Sequence, residues 1–121
     1  MTKVVVALLA FLLLSCESTA PKLTFESAHK FAQAQPQDAA YGYEDKWDTF
    51  NNANKLDEKG DCYKKTEGPI EQVLILDKDG VVSEVIANVN NAKSNCFRAS
   101  YLHVKFPAPP FSPYYMRLKM D

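Results

Sequence analysis

The residues able to carry chemistry are few. They are three cysteines, two histidines and scattered carboxylates in a chain of 121 residues. Asp77-Lys78-Asp79-Gly80 has the composition of a calcium loop. An EF-hand, however, needs its glycine two positions later and a glutamate at the twelfth position, and Ser83 and Glu84 do not restore that spacing. The stretch therefore reads as a turn. His29 falls off the apolar face of a predicted helix, and His103 falls near the C-terminus of another, where a partial positive charge suits the helix dipole. Neither is spaced to share a metal with a cysteine. Glu44-Asp45 and Asp57-Glu58 read as solvated helix faces. No G-x-S-x-G, zinc-protease or Walker pattern is present. The expectation is a protein without catalytic residues, cofactor or metal.

Cys16 is the cysteine with the most to say. Met1-Thr2-Lys3 is followed by an unbroken apolar run from Val4 to Leu14 and then by Ser15-Cys16. The run is shorter than the roughly 20 residues of a membrane span and has the length of a signal-peptide h-region. Leu13-Leu14-Ser15-Cys16 resembles the lipobox of bacterial lipoproteins. That resemblance implies cleavage between Ser15 and Cys16, a thioether from Cys16 to diacylglycerol, and acylation of the new amine. Two or three acyl chains hold a protein stably at a bilayer where one does not. Glu17, not aspartate, follows the modified cysteine, which by the lipoprotein sorting rule implies the outer membrane, facing the periplasm. Loss of residues 1–15 removes Lys3 and leaves the mature chain one charge more acidic than the −1 of the full sequence.

With Cys16 assigned to lipid, Cys62 and Cys96 form an even pair in an oxidising compartment and read as a disulfide. The alternative, a redox or metal pair, lacks a C-x-x-C and histidines at ligand spacing. Closing a loop of about 35 residues would contribute roughly 3–4 kcal/mol in chain-entropy terms.

The elements that must position these residues follow from periodicity. Residues 16–23 read as a tether. Thr24 is placed to cap a helix to Gln35, with Phe25, Ala28, Phe31 and Ala32 at helical spacing and Pro36 as its stop. Asp38 is read as the cap of a second helix carrying Ala40, Tyr43, Trp47 and Phe50 on one face, fading before Gly60. Ile70 to Leu76 and Val81 to Val89, joined by Asp79-Gly80, predict a β-hairpin. Asn88–Asn95 reads as a loop, and Ser94 as the cap of a helix from Asn95 to Lys105 with Phe97, Tyr101 and Val104 on its face. Phe106-Pro107 ends that helix. Tyr114, Met116, Leu118 and Met120 alternate with Tyr115, Arg117 and Lys119, predicting a half-buried strand.

The run Asp79-Gly80-Val81-Val82-Ser83-Glu84-Val85, then Asn95-Cys96-Phe97, then Val104-Lys105-Phe106-Pro107 and the closing strand resembles the C-terminal domain of TonB-like energy transducers. The likeness spans residues 70–120. It implies a ββαβ fold and a protein- or wall-binding role in the periplasm. A transducer also carries an N-terminal membrane helix and a long Pro-rich spacer, and this sequence shows a lipobox in their place, so energy transduction is not implied.

The sequence therefore predicts an α+β domain over 24–121. Helices in 24–60 pack on a ββαβ unit in 70–120 with an antiparallel three-stranded sheet. Near-neutral, scattered charge excludes a nucleic-acid partner. The expected partners are the lipid bilayer, through Cys16, and a protein of the envelope. The leading expectation is a non-catalytic lipoprotein that binds or positions another envelope component, through a flat sheet edge or an apolar patch. A periplasmic hydrolase inhibitor, using Asn88–Asn95 as a protruding loop, is the alternative; a small hydrolase is a further one. Phe106, Pro107, Pro109, Pro110 and Phe111 form either a polyproline segment offered to a partner or a stiff connector that packs Phe106 and Phe111, and the strand that follows at once favours the connector.

Overall fold

The computed structural model describes residues 23–36 and 41–121. Ser15, Cys16 and the rest of the lipobox lie outside the described residues, as do Asp38 and Ala40. Helix α1 spans Phe25–Ala34, with the Thr24 hydroxyl accepting from the Ser27 amide. Helix α2 spans Tyr43–Asn54 and is followed by a short 3-10 segment, Lys59–Lys64. Then come β1 (Ile70–Leu76), β2 (Val82–Ala87), α3 (Ala92–Tyr101) and β3 (Tyr114–Met120). The strands form one antiparallel sheet in the order β2-β1-β3, which makes the fold α+β.

Two helix starts differ from the sequence reading. Helix α2 begins at Tyr43 with Gly42 as its cap in a left-handed conformation, so Asp38 does not cap it. Helix α3 begins at Ala92, three residues before the expected start. Its cap is Asn91, whose side chain accepts from the Ser94 amide while the Ser94 hydroxyl accepts from the Asn91 amide. Ser94 is thus the third residue of the helix, closing a capping box that Asn91 opens, and not the cap itself. The helix also ends earlier, at Tyr101. His103 is left-handed, at φ 67°, and the following residues run along β2, where Val82 donates to the Val104 carbonyl and Phe106 to that of Gly80.

The Asp77–Gly80 turn is held by its own first residue. One Asp77 carboxylate oxygen accepts from the amides of Asp79 and Val81, as the first residue of an Asx turn does. Gly80 has φ 87°, and a Cβ there would collide with the Phe106 carbonyl, so glycine is required both by conformation and by close approach.

The central strand β1 is covered on both faces. Ile70, Gln72, Leu74 and Leu76 face α3 and the α2 side, where Phe97, Tyr101, Phe106, Tyr114 and Met116 complete the core. Val73, on the other face, is also buried. That face belongs to α1, which packs on β1 and β3 and stacks Phe31 on Tyr115. Cys62 and Cys96 form a disulfide that ties the 3-10 segment to α3. Lys93 is buried; its ammonium donates to the carbonyls of Gly68 and Asp121 and lies over the Tyr63 ring, joining the lead-in of β1 to the end of β3.

Candidate functional site: the outer edge of β3

Strand β3 pairs with β1 without interruption, Ile70 opposite Met120 through Leu76 opposite Tyr114. Among the described residues no strand lies beside its other edge. At Tyr115 that outer edge is occupied by a side chain. The Gln35 amide nitrogen donates to the Tyr115 carbonyl at 2.7 Å, and the Tyr115 amide donates to the Gln35 amide oxygen at 3.0 Å. One primary amide therefore makes the paired bonds that a residue of a neighbouring strand would make. The same bonds show that the Tyr115 backbone groups point away from β1. Backbone direction alternates along a strand with a period of two, so the N–H and C=O groups of Arg117 and Lys119 point outward as well. Among the described residues none bonds to them.

A groove follows this edge. Next to Tyr115 it is a cavity of about 560 Å³ between the end of α1 (Ala32, Gln35, Pro36) and α2 (Glu44, Trp47). Further along β3 a second cavity, of about 280 Å³, lies between α2 and the strand and reaches Tyr63 and Tyr101. Trp47, Arg117 and Lys119 line both. The helical spacing of α2 explains the wall. Tyr43 is fully used in the core, while Trp47, one turn on, is only partly buried and leaves part of its surface to the groove.

The two faces of β3 differ in chemistry along the groove. Met116, Leu118 and Met120 are buried on the α2 side. Arg117 and Lys119 stand on the opposite face, each about 4 Å from a single Glu71 carboxylate oxygen (3.8 and 3.9 Å). Such exposed, long ion pairs contribute little to stability. Cations on an edge strand also discourage pairing of two copies edge to edge.

The two phenols in the second cavity are held in their neutral form. Burial, reinforced by the Asp57 charge, raises the pKa of both Tyr63 and Tyr101, and the Tyr101 phenol donates to the Asn51 side-chain oxygen at 2.8 Å. His103 is exposed, and His29 lies beside Phe25. Among the described residues no three His, Cys, Asp or Glu side chains are grouped to hold a metal ion, and no helix is long and apolar enough to cross a membrane.

The segment from Phe106 to Phe111 packs as a connector. Phe106 is buried against Phe50, the Pro107 carbonyl accepts from the Tyr43 phenol, and Phe111 sits between Tyr41 and Tyr114. Pro109 keeps part of its surface and Pro110 is exposed. The Asn88–Asn95 stretch is shortened by the early start of α3 and pinned to β1 by two bonds between Asn88 and Glu71. Sequence reasoning missed Gln35, Trp47, Arg117 and Lys119 as a group. No family model, curated protein or solved structure matches the chain.

Proposed function

We propose that this chain is a non-catalytic binding module that takes up an extended segment of a partner protein along the outer edge of β3. Cys16, acylated after cleavage at Ser15-Cys16, holds the module at the bacterial outer membrane on the periplasmic side. The observation that carries the binding reading is the Gln35–Tyr115 pair. A side-chain amide already satisfies the edge in the manner of a strand, and the next two outward positions, Arg117 and Lys119, lie open in a walled groove. Strand addition supplies affinity through main-chain bonds and specificity through alternate side chains. The order strand, strand, helix, strand, which resembles the TonB-like C-terminal domain, is compatible with such a role.

The test is selection of peptides from a displayed random library on the purified soluble domain, with counter-selection on Lys119→Pro. Proline at 119 removes an outward N–H and no bond of the β1–β3 ladder, so the fold survives and the edge is blocked. The expected result is a set of peptides that bind the parent domain and lose at least about tenfold in affinity on the proline variant. Peptides indifferent to that change, with the variant folded by circular dichroism, would contradict the proposal.

A further inference from the structure

We infer that the segment received by β3 alternates acidic and apolar residues, the acids lying beside Arg117 and Lys119 and the apolar side chains against Met116, Leu118 and Trp47. This rests on the reading of the β3 edge as a strand acceptor and adds the chemistry of the occupant.

A strand laid beside β3 must place successive side chains on opposite faces of the sheet. On one face its neighbours are Arg117 and Lys119. These two cations share one carboxylate, Glu71, on the strand behind them, at distances near the limit of an ion pair. At the β3 edge the two cations therefore outnumber the one carboxylate they share, and their side chains are 41% and 73% exposed. Opposite charges directly across a strand pair attract, and like charges repel. On the other face the incoming side chains meet Met116, Leu118 and the exposed part of Trp47, with Glu44, Asp48 and Asp57 along the same wall. An acid on that face would be repelled, and an apolar side chain would be shielded from water. The two faces thus ask for different residues at a period of two, and they fix which face of the occupant is which.

The same charges exclude a second copy of this chain as the occupant. Two β3 strands paired antiparallel about a two-fold axis keep the same face up. Arg117 and Lys119 of one copy would then lie against those of the other.

The probes are two synthetic seven-residue peptides, one alternating valine and glutamate and one alternating valine and threonine, titrated on the soluble domain. The expected result is about tenfold tighter binding of the valine–glutamate peptide, for two favourable cross-strand charge pairs. The preference of the domain for the valine–glutamate over the valine–threonine peptide disappears in an Arg117→Gln, Lys119→Gln double variant. Glu71→Gln, which frees both cations, strengthens valine–glutamate binding several-fold, an effect that a merely structural glutamate would not produce. Equal binding of the two peptides to the parent domain overturns this inference and leaves the strand-accepting edge intact. Failure of both peptides, together with failure of the library selection, overturns the edge reading as well. Self-association of the domain that saturating valine–glutamate peptide or Lys119→Pro abolishes would also overturn the choice of occupant.

Discussion

Gln35 and Tyr115 illustrate how much a single side chain can fix. The amide of Gln35 closes the β3 edge at one residue and marks where the groove begins. Replacing it with alanine removes two bonds and should lower stability by about 1–2 kcal/mol, measured by urea denaturation. Gly80 carries a heavier constraint, since its left-handed conformation and the Phe106 carbonyl both exclude a side chain. Gly80→Ala should cost at least ~2 kcal/mol in the same assay. Tyr101 gives a pH signature. Its pKa is raised in the folded chain, chiefly by burial, above the ordinary value near 10. The neutral phenol therefore favours folding. That contribution is complete below about pH 10 and declines as pH rises towards the folded-state value, because the unfolded chain loses the proton first. Tyr101→Phe should cost about 1 kcal/mol at neutral pH, where Asn51 loses its donor, and should flatten the loss of stability between about pH 10 and pH 11.

At the scale of elements, the hairpin and the closing strand were legible because each is written in a local period of two, punctuated by Asp-Gly or Pro. Thr24 as a cap was legible for the same reason: the signal is complete within four residues. The start of α3 was not. Asn91 and Ser94 are both good caps, and the apolar positions begin only at Phe97, which drew the boundary too late. The reciprocal bonds between Asn91 and Ser94 decide it, and Asn91→Ala should lower stability by about 1 kcal/mol in denaturant titration. The groove could not be read from the sequence at all. It depends on β3 being an edge strand, on α1 and α2 flanking it, and on a contact between residues 80 positions apart. Arg117 and Lys119 read locally as the wet face of a half-buried strand. That is true of them, and it hides what the open edge beside them can do.

For the whole molecule, the Cys62–Cys96 bridge closes a loop with a sequence separation of 34 between the 3-10 segment and α3. Its reduction should lower stability by roughly 3–4 kcal/mol, read as a shift of the urea midpoint with and without dithiothreitol. The proposed anchor and the groove make a consistent pair, a fixed point at the membrane and a receptive edge on the domain tethered to it. The edge is the central claim. It is tested most directly by amide hydrogen exchange at Arg117 and Lys119, in the free domain and with a library-selected peptide bound. The outward amides should exchange rapidly in the free domain and become protected by at least about tenfold in the complex, while those of Met116 and Leu118, already in the ladder, change little. Amides of Arg117 and Lys119 that exchange equally fast in both states, with the peptide bound, would place the ligand elsewhere and contradict the account.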